Sequence, residues 1–152
     1  MIKIKKLFPQ IVISSIALVC LIISIIFFIS KNDKERRIFI FPSADNGKYI
    51  VEYRNLAKKP VQGDIQLYVD EILLGSSTER TKLLFTQGTR VLSCFVRDSV
   101  LYLNLSSLLL EMGDGVIDIK DGFDLLEKNI KKNFPKVKTI EFFIEGKSVF
   151  EN

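Results

Sequence analysis

Three carboxylates, Asp118, Asp121 and Asp124, lie three residues apart along the chain. Acids at that spacing could form the pair that glycoside chemistry needs, two carboxyl groups within ~10 Å across a concave site. They also open an amphipathic segment, where negative charge suits the positive end of a helix dipole. That second reading is preferred, and no catalytic residue is assigned. Gly113-Asp-Gly-Val-Ile-Asp118 sets Asp114 and Asp118 around a glycine, a faint outline of a calcium loop without the acid spacing of an EF-hand. The chain has no His and two Cys, Cys20 and Cys94. A zinc site of ordinary ligands cannot be assembled, and Ser-His-Asp or Cys-His catalysis within the chain is excluded. An intramolecular disulfide between a Cys in an apolar run and one in a strand is geometrically implausible. Gly75, Gly88 and Gly146 could line a ligand site but read better as backbone devices at a helix end and two turns. The expectation is a non-enzyme with no cofactor and no metal.

Non-covalent chemistry is better provided for. Phe39, Phe41, Tyr49 and Tyr53 could form a binding face, or could fill a core. With Val91 or Leu92, Tyr102 and Phe143, the rings Phe39 and Phe41 are candidates for a sheet face left without a helical cover. An exposed apolar patch beyond a few hundred Å² usually marks an interface.

The elements that must position these residues follow from periodicity. Arg37-Ile-Phe-Ile-Phe-Pro42 predicts a strand, Ser43-Ala-Asp-Asn-Gly47 a hairpin turn, and Tyr49-Ile-Val-Glu-Tyr-Arg54 its return. Ile65, Tyr68, Val69, Ile72 and Leu73 form one helical stripe, with Asp64 as a cap or a first-turn acid and Gly75 closing the helix. Leu83-Leu84-Phe85 should tuck under the core. Strands over 90–97 and 100–105 flank a two-residue turn at Asp98-Ser99, and Ser106 or Ser107 caps a short turn carrying residues 108–112. Ile119, Phe123, Leu126, Ile130 and Phe134 make a second stripe, stopped by Pro135. Residues 138–144 form the last strand. The order is β-β-α-β-β-α-β. Two such helices can cover one face of one sheet, so the class is α+β, an open sandwich of about five strands with a ferredoxin-like arrangement and an extra N-terminal strand.

Upstream, residues 7–30 hold no charge. A helix of that length spans a bilayer, so the sequence predicts a transmembrane helix that serves as an uncleaved signal anchor. A cleaved signal would need a shorter core and a small-residue cut site. A lipidated Cys20 would need a small residue before it, where Val19 stands, and a polar chain after it. Lys3, Lys5 and Lys6 favour a cytoplasmic tail at 1–6, against four bases in the charged linker 31–37. The expected location is a bacterial cytoplasmic membrane, single-pass, touching lipid through residues 7–30, with the domain of residues 38–152 extracytoplasmic.

The net charge of +4 sits mostly beside this run. From Ile38 onward 15 bases face 16 acids, near neutrality. A nucleic-acid surface gathers its bases on the folded domain, so that partner class is set aside.

Four phrases in order resemble the GerMN domain, named for a bacterial sporulation and germination protein. They are Val69-Asp-Glu-Ile-Leu-Leu-Gly75, Gln87-Gly-Thr-Arg-Val-Leu-Ser93, Ser99-Val-Leu-Tyr-Leu-Asn-Leu-Ser106 and Phe134-Pro-Lys-Val-Lys-Thr-Ile-Glu-Phe-Phe-Ile-Glu-Gly146. Ser76 stands where the family usually has Pro, and Asn104 where it has Asp. The resemblance implies an extracytoplasmic module, often membrane- or lipid-anchored, that in some members joins envelope-spanning assemblies, with no catalytic residues. The functional expectation is a non-catalytic interaction or scaffold module of a bacterial envelope assembly, meeting a protein partner or another copy of itself. The alternative is a small peptidoglycan-related ligand-binding or hydrolytic domain.

Overall fold

A computed structural model describes the backbone of residues 2–30 and 33–150 and the side chains of residues 12–28 and 33–150. Two compact units divide the chain, Met1–Lys34 and Glu35–Asn152. The first holds one helix, α1 (Ile2–Ser30). Among the described residues no helix is long and apolar enough to cross a membrane. The transmembrane signal anchor over 7–30 is corrected on that ground. The single-pass location and the extracytoplasmic placement of residues 38–152 fall with it. The side chains of Lys3, Lys5 and Lys6, which carried the orientation, lie outside the described residues, as does the start of the charged linker at 31–32.

The second unit is α+β. Its elements are β1 (Lys34–Pro42), β2 (Tyr49–Ala57), α2 (Asp64–Leu73), β3 (Val91–Arg97), β4 (Val100–Leu105), a 3₁₀ turn at Ser107–Leu110, α3 (Ile119–Asn133), β5 (Thr139–Ile144) and β6 (Lys147–Ser148). The strands make two sheets rather than the one expected. β1 and β2 form a two-stranded ribbon, and β3-β4-β5-β6 form a four-stranded sheet. β4 and β5 run parallel, Leu101 beside Ile140 and Leu103 beside Phe142, with α3 in the connection that parallel strands require. β1 begins at Lys34, inside the stretch read as linker.

The core lies where α2, α3, the inner sheet face and the ribbon meet. Leu101, Leu103 and Leu105 are fully buried, as their alternation predicts. From the helices come Tyr68, Val69 and Ile72, then Phe123, Leu126 and Ile130. Burying each such side chain contributes roughly 1.5–3 kcal/mol. Leu84 and Phe85 are buried too, and Phe85 packs against Phe123 with ring centroids 5.0 Å apart. Their path explains Gly122, a poor helix former in the first turn of α3. A Cβ there would lie 2.7 Å from the Leu84 carbonyl oxygen and 2.9 Å from the Phe85 ring.

Candidate functional site

Two of the sheet edges, at β1 and at β3, are treated differently, and the ribbon shows how the first is closed. Asn129 and Asn133 sit one turn apart on α3 and take the place of a strand beside β1. The Ile40 N–H donates to Asn129 Oδ1 at 2.8 Å, and Asn129 Nδ2 donates to the Ile40 carbonyl at 2.9 Å. Asn133 repeats the pattern on Ile38, at 2.9 and 2.7 Å. The Tyr68 hydroxyl donates to the Ile38 carbonyl at 2.6 Å, and burial pushes its phenol up from the usual range. Farther along, the Lys82 N–H donates to the Pro42 carbonyl. Asn129 is fully buried with its amide satisfied, as buried polar groups must be.

Arg54 fixes the ribbon to the end of α2. Its guanidinium donates to Glu52 at 2.9 Å, to the Glu71 carboxylate at 3.0 Å and to the Gly75 carbonyl at 2.6 Å, beneath the rings of Phe39 and Phe41. A cation at a helix C-terminus is favourable. Glu52 also accepts from the Ser76 and Ser77 hydroxyls, at 2.8 and 2.6 Å. The hydrogen bond from Arg54 outweighs the cost of burial and holds the Glu52 carboxyl down at about 2.

The four-stranded sheet treats its edge differently. It ends at β3, and most of β3 is exposed: Leu92 at 48%, Phe95 at 54% and Val96 at 48%. On the outer face Phe95 stacks on Tyr102 at 5.1 Å and 13°, and Tyr102 on Phe143 at 6.4 Å and 25°. Three rings on three neighbouring strands thus form one aromatic row whose outer end, Phe95, is open. The Cys94 thiol is half-buried, and burial, with the Asp70 carboxylate, pushes it up to about 11. It is a packing residue rather than a nucleophile.

The ribbon offers a second stripe, Tyr49, Val51 and Tyr53, each more than half exposed. Here cations already lie over the rings: Arg36 at 4.1 Å from the Tyr53 centroid and Lys128 at 4.7 Å from that of Tyr49. Beside it lies a cleft of about 390 Å³ lined by Tyr49, Lys82, Asp121, Asp124 and Lys128, among others. Two of the three candidate carboxylates therefore share a concavity. The third, Asp118, caps α3 by accepting from the Lys120 N–H at 2.9 Å. Among the described residues no group of three or more Cys, Asp or Glu side chains could hold a metal.

Other expectations divide. Phe39 and Phe41 are fully buried, so the core reading holds for them and they leave the candidate face. Leu92, Tyr102 and Phe143 stay on it, and Val91 turns half-buried toward the core. Gly75, Gly88 and Gly146 have φ of 89°, 94° and 79° and serve the backbone. Asp64 is a first-turn acid; the cap position is Gly63. The two departures from the family pattern have local roles. Asn104 Oδ1 accepts from the Gly146 N–H at 3.0 Å, as a carboxylate would, and the Ser76 hydroxyl donates to Glu52. Sequence reasoning missed the Arg54 network and the asparagine clamp. The signal for the clamp was two amides at i and i+4 among the apolar residues of one helix.

An α+β module with a satisfied core and an exposed aromatic row at one sheet edge is the class these features define. The chain belongs to the Germane family, described as "Sporulation and spore germination", which matches residues 27–150. Among solved structures it is similar to the tandem GerMN domains of the sporulation protein GerM from Bacillus subtilis. The TM-score is 0.55 at 14% identity, covering 75% of this chain and 39% of that one. It is also similar to the first GerMN domain of that protein, with a TM-score of 0.56 at 11% identity over 74% of this chain and 85% of that one. These likenesses show the fold. A curated relative from Treponema pallidum (strain Nichols), an uncharacterized lipoprotein, is 29% identical over 90 residues, 59% of this chain and 67% of the relative. A lipoprotein relative also runs against the signal anchor.

Proposed function

We propose that this chain is a non-catalytic, protein-binding module of a bacterial envelope assembly. The observation that carries the reading is the row Phe95–Tyr102–Phe143, which leads across the sheet to a strand edge with no strand partner among the described residues. Aromatic side chains in the open contribute binding area at low cost in side-chain freedom. The family and the lipoprotein relative support the envelope setting. The test is photo-crosslinking from a probe at position 95 in native cells, followed by identification of what is attached. The expected product is a protein adduct that a probe on exposed Glu79 does not give. Equal labelling from both positions would count against the reading.

A second reading, a peptidoglycan-related ligand site, is favoured by the cleft. Asp121 and Asp124 could hold an ammonium, and Lys82 and Lys128 a carboxylate, in a volume suited to a small ligand. Isothermal titration with cell-wall stem peptides tests it. Binding lost in Asp121→Asn and Asp124→Asn would support it, and no heat in the wild-type chain would remove it.

A further inference from the structure

The turn between β3 and β4 decides what the edge of the sheet presents. Asp98 and Ser99 have φ of 51° and 66°, the pattern of a two-residue hairpin with both central residues left-handed, and Arg97 pairs with Val100. In that hairpin the closing pair exchanges both hydrogen bonds, and residues alternate along the strand. Arg97 and Phe95 therefore address β4, while Cys94 and Val96 turn their N–H and C=O groups to the open edge. An exposed edge with apolar side chains is a template for another strand. No Pro or Lys lies on β3 to blunt it, and its one charge, Arg97, is at the end.

We propose that the occupant is a second copy of this chain, whose β3 pairs antiparallel with this one about a two-fold axis at Cys94. The inference rests on the protein-binding reading above and names its partner. Charge selects the arrangement. A parallel pairing in register would set Arg97 against Arg97, and like charges directly opposite are destabilising. The antiparallel pairing brings Arg90 of each copy, just outside β3 and beyond its bulge, to the same end of the ladder as Asp98 of the other, so their side chains meet past the paired residues. Both are exposed, and Asp98 is held only loosely by its neighbour Arg97, at 3.7 Å with both side chains largely in solvent. The same register sets Leu92 opposite Val96, two half-exposed apolar residues. It also sets Ser93 opposite Phe95, leaving room for the ring. The bulge between Val91 and Ser93 confines the ladder to the centre of the strand. Two four-stranded sheets become one of eight strands, with an isologous interface.

The test is sedimentation of the full chain in detergent over a range of concentrations, beside Val96→Lys, Arg90→Glu, Asp98→Lys and the double swap R90E/D98K. All three positions are exposed, and a Lys at φ 51° already occurs at Lys59. Melting curves that match wild type confirm folding. The wild type should show a concentration-dependent dimer, and each single substitution should weaken it roughly tenfold or more, because every change is felt twice across the axis. The double swap should return the dimer to within roughly threefold of wild type. A dimer indifferent to Val96→Lys and Arg90→Glu, or one not restored by the swap, overturns the proposal. So does a chain that stays monomeric throughout. A monomer that still crosslinks from position 95 to a different protein sinks the self-pairing and leaves the binding-module reading standing. A monomer that captures nothing sinks both.

Discussion

The edges of β1 and β3 face the same physical problem and solve it in opposite ways. Both expose alternate backbone groups that need partners. At β1 those of Ile38 and Ile40 are inside the molecule, where an unmade hydrogen bond is expensive, and the side chains of Asn129 and Asn133 serve as a substitute strand. At β3 they have no strand partner among the described residues, and water at an open edge satisfies such groups cheaply and can be displaced. The first edge is closed and structural. The second is available, and the aromatic row stands beside it. A sheet edge is a site only where nothing in the molecule has already taken it.

The comparison is broken most forcefully at the closed edge. Asn129→Leu removes both hydrogen bonds to Ile40 and leaves two buried backbone groups unpaired, so unfolding in urea should show a loss of about 3 kcal/mol or more. A loss under about 1 kcal/mol would mean that the clamp is incidental. Next is Gly122→Ala. The added methyl meets the Leu84 carbonyl at 2.7 Å, and the cost should be about 2 kcal/mol despite the better helix propensity of Ala. An increase in stability would show that the Leu84 segment gives way.

The Arg54 network gives a smaller, pH-dependent effect. Glu52 is held below its ordinary 4.5, at about 2, chiefly by its hydrogen bond with Arg54. A carboxyl with a lowered folded pKa stabilises the fold above about 4.5, and that contribution is lost as pH falls from there toward 2. The gain is about 1 kcal/mol at most, since water still reaches the group. A melting series should therefore fall more steeply from pH 4.5 downward in wild type than in Glu52→Gln. Parallel curves would remove the role given to Glu52. The smallest effect on stability belongs to the open edge. Val96→Lys should change the unfolding free energy by under about 0.5 kcal/mol while altering association. A larger loss would mean that Val96 is packed rather than waiting.

How much of this the chain discloses depends on the range of the interaction. The stripes of α2 and α3, the Asp98-Ser99 turn and the tucked Leu84 and Phe85 are local patterns, and the sequence reading places them. The division into two sheets and the parallel pairing of β4 with β5 depend on which strands meet, and no local period encodes that. Phe39 and Phe41 illustrate the limit. A continuous run, Ile38-Phe-Ile-Phe41, suits a strand covered on both faces as well as one with an open face, and only the fold shows it covered. The uncharged run at 7–30 was long enough on paper to span a bilayer, yet no helix among the described residues qualifies. At the candidate site, Tyr102, Phe143 and Leu92 were legible as outward residues of their strands. Phe95, the open end of the row, carries no such local mark, because its importance comes from β3 being an edge strand.

Amide hydrogen exchange on the full chain measures both edges at once and bears most directly on the claim that one is closed and the other receives a protein. At low concentration the N–H groups of Ile38 and Ile40 should exchange slowly and those of Cys94 and Val96 rapidly. On concentration, Cys94 and Val96 should slow by roughly tenfold or more while the other pair stays unchanged. Slow exchange at Cys94 and Val96 already in dilute solution, or no change there at any concentration or in envelope extract, would contradict the account.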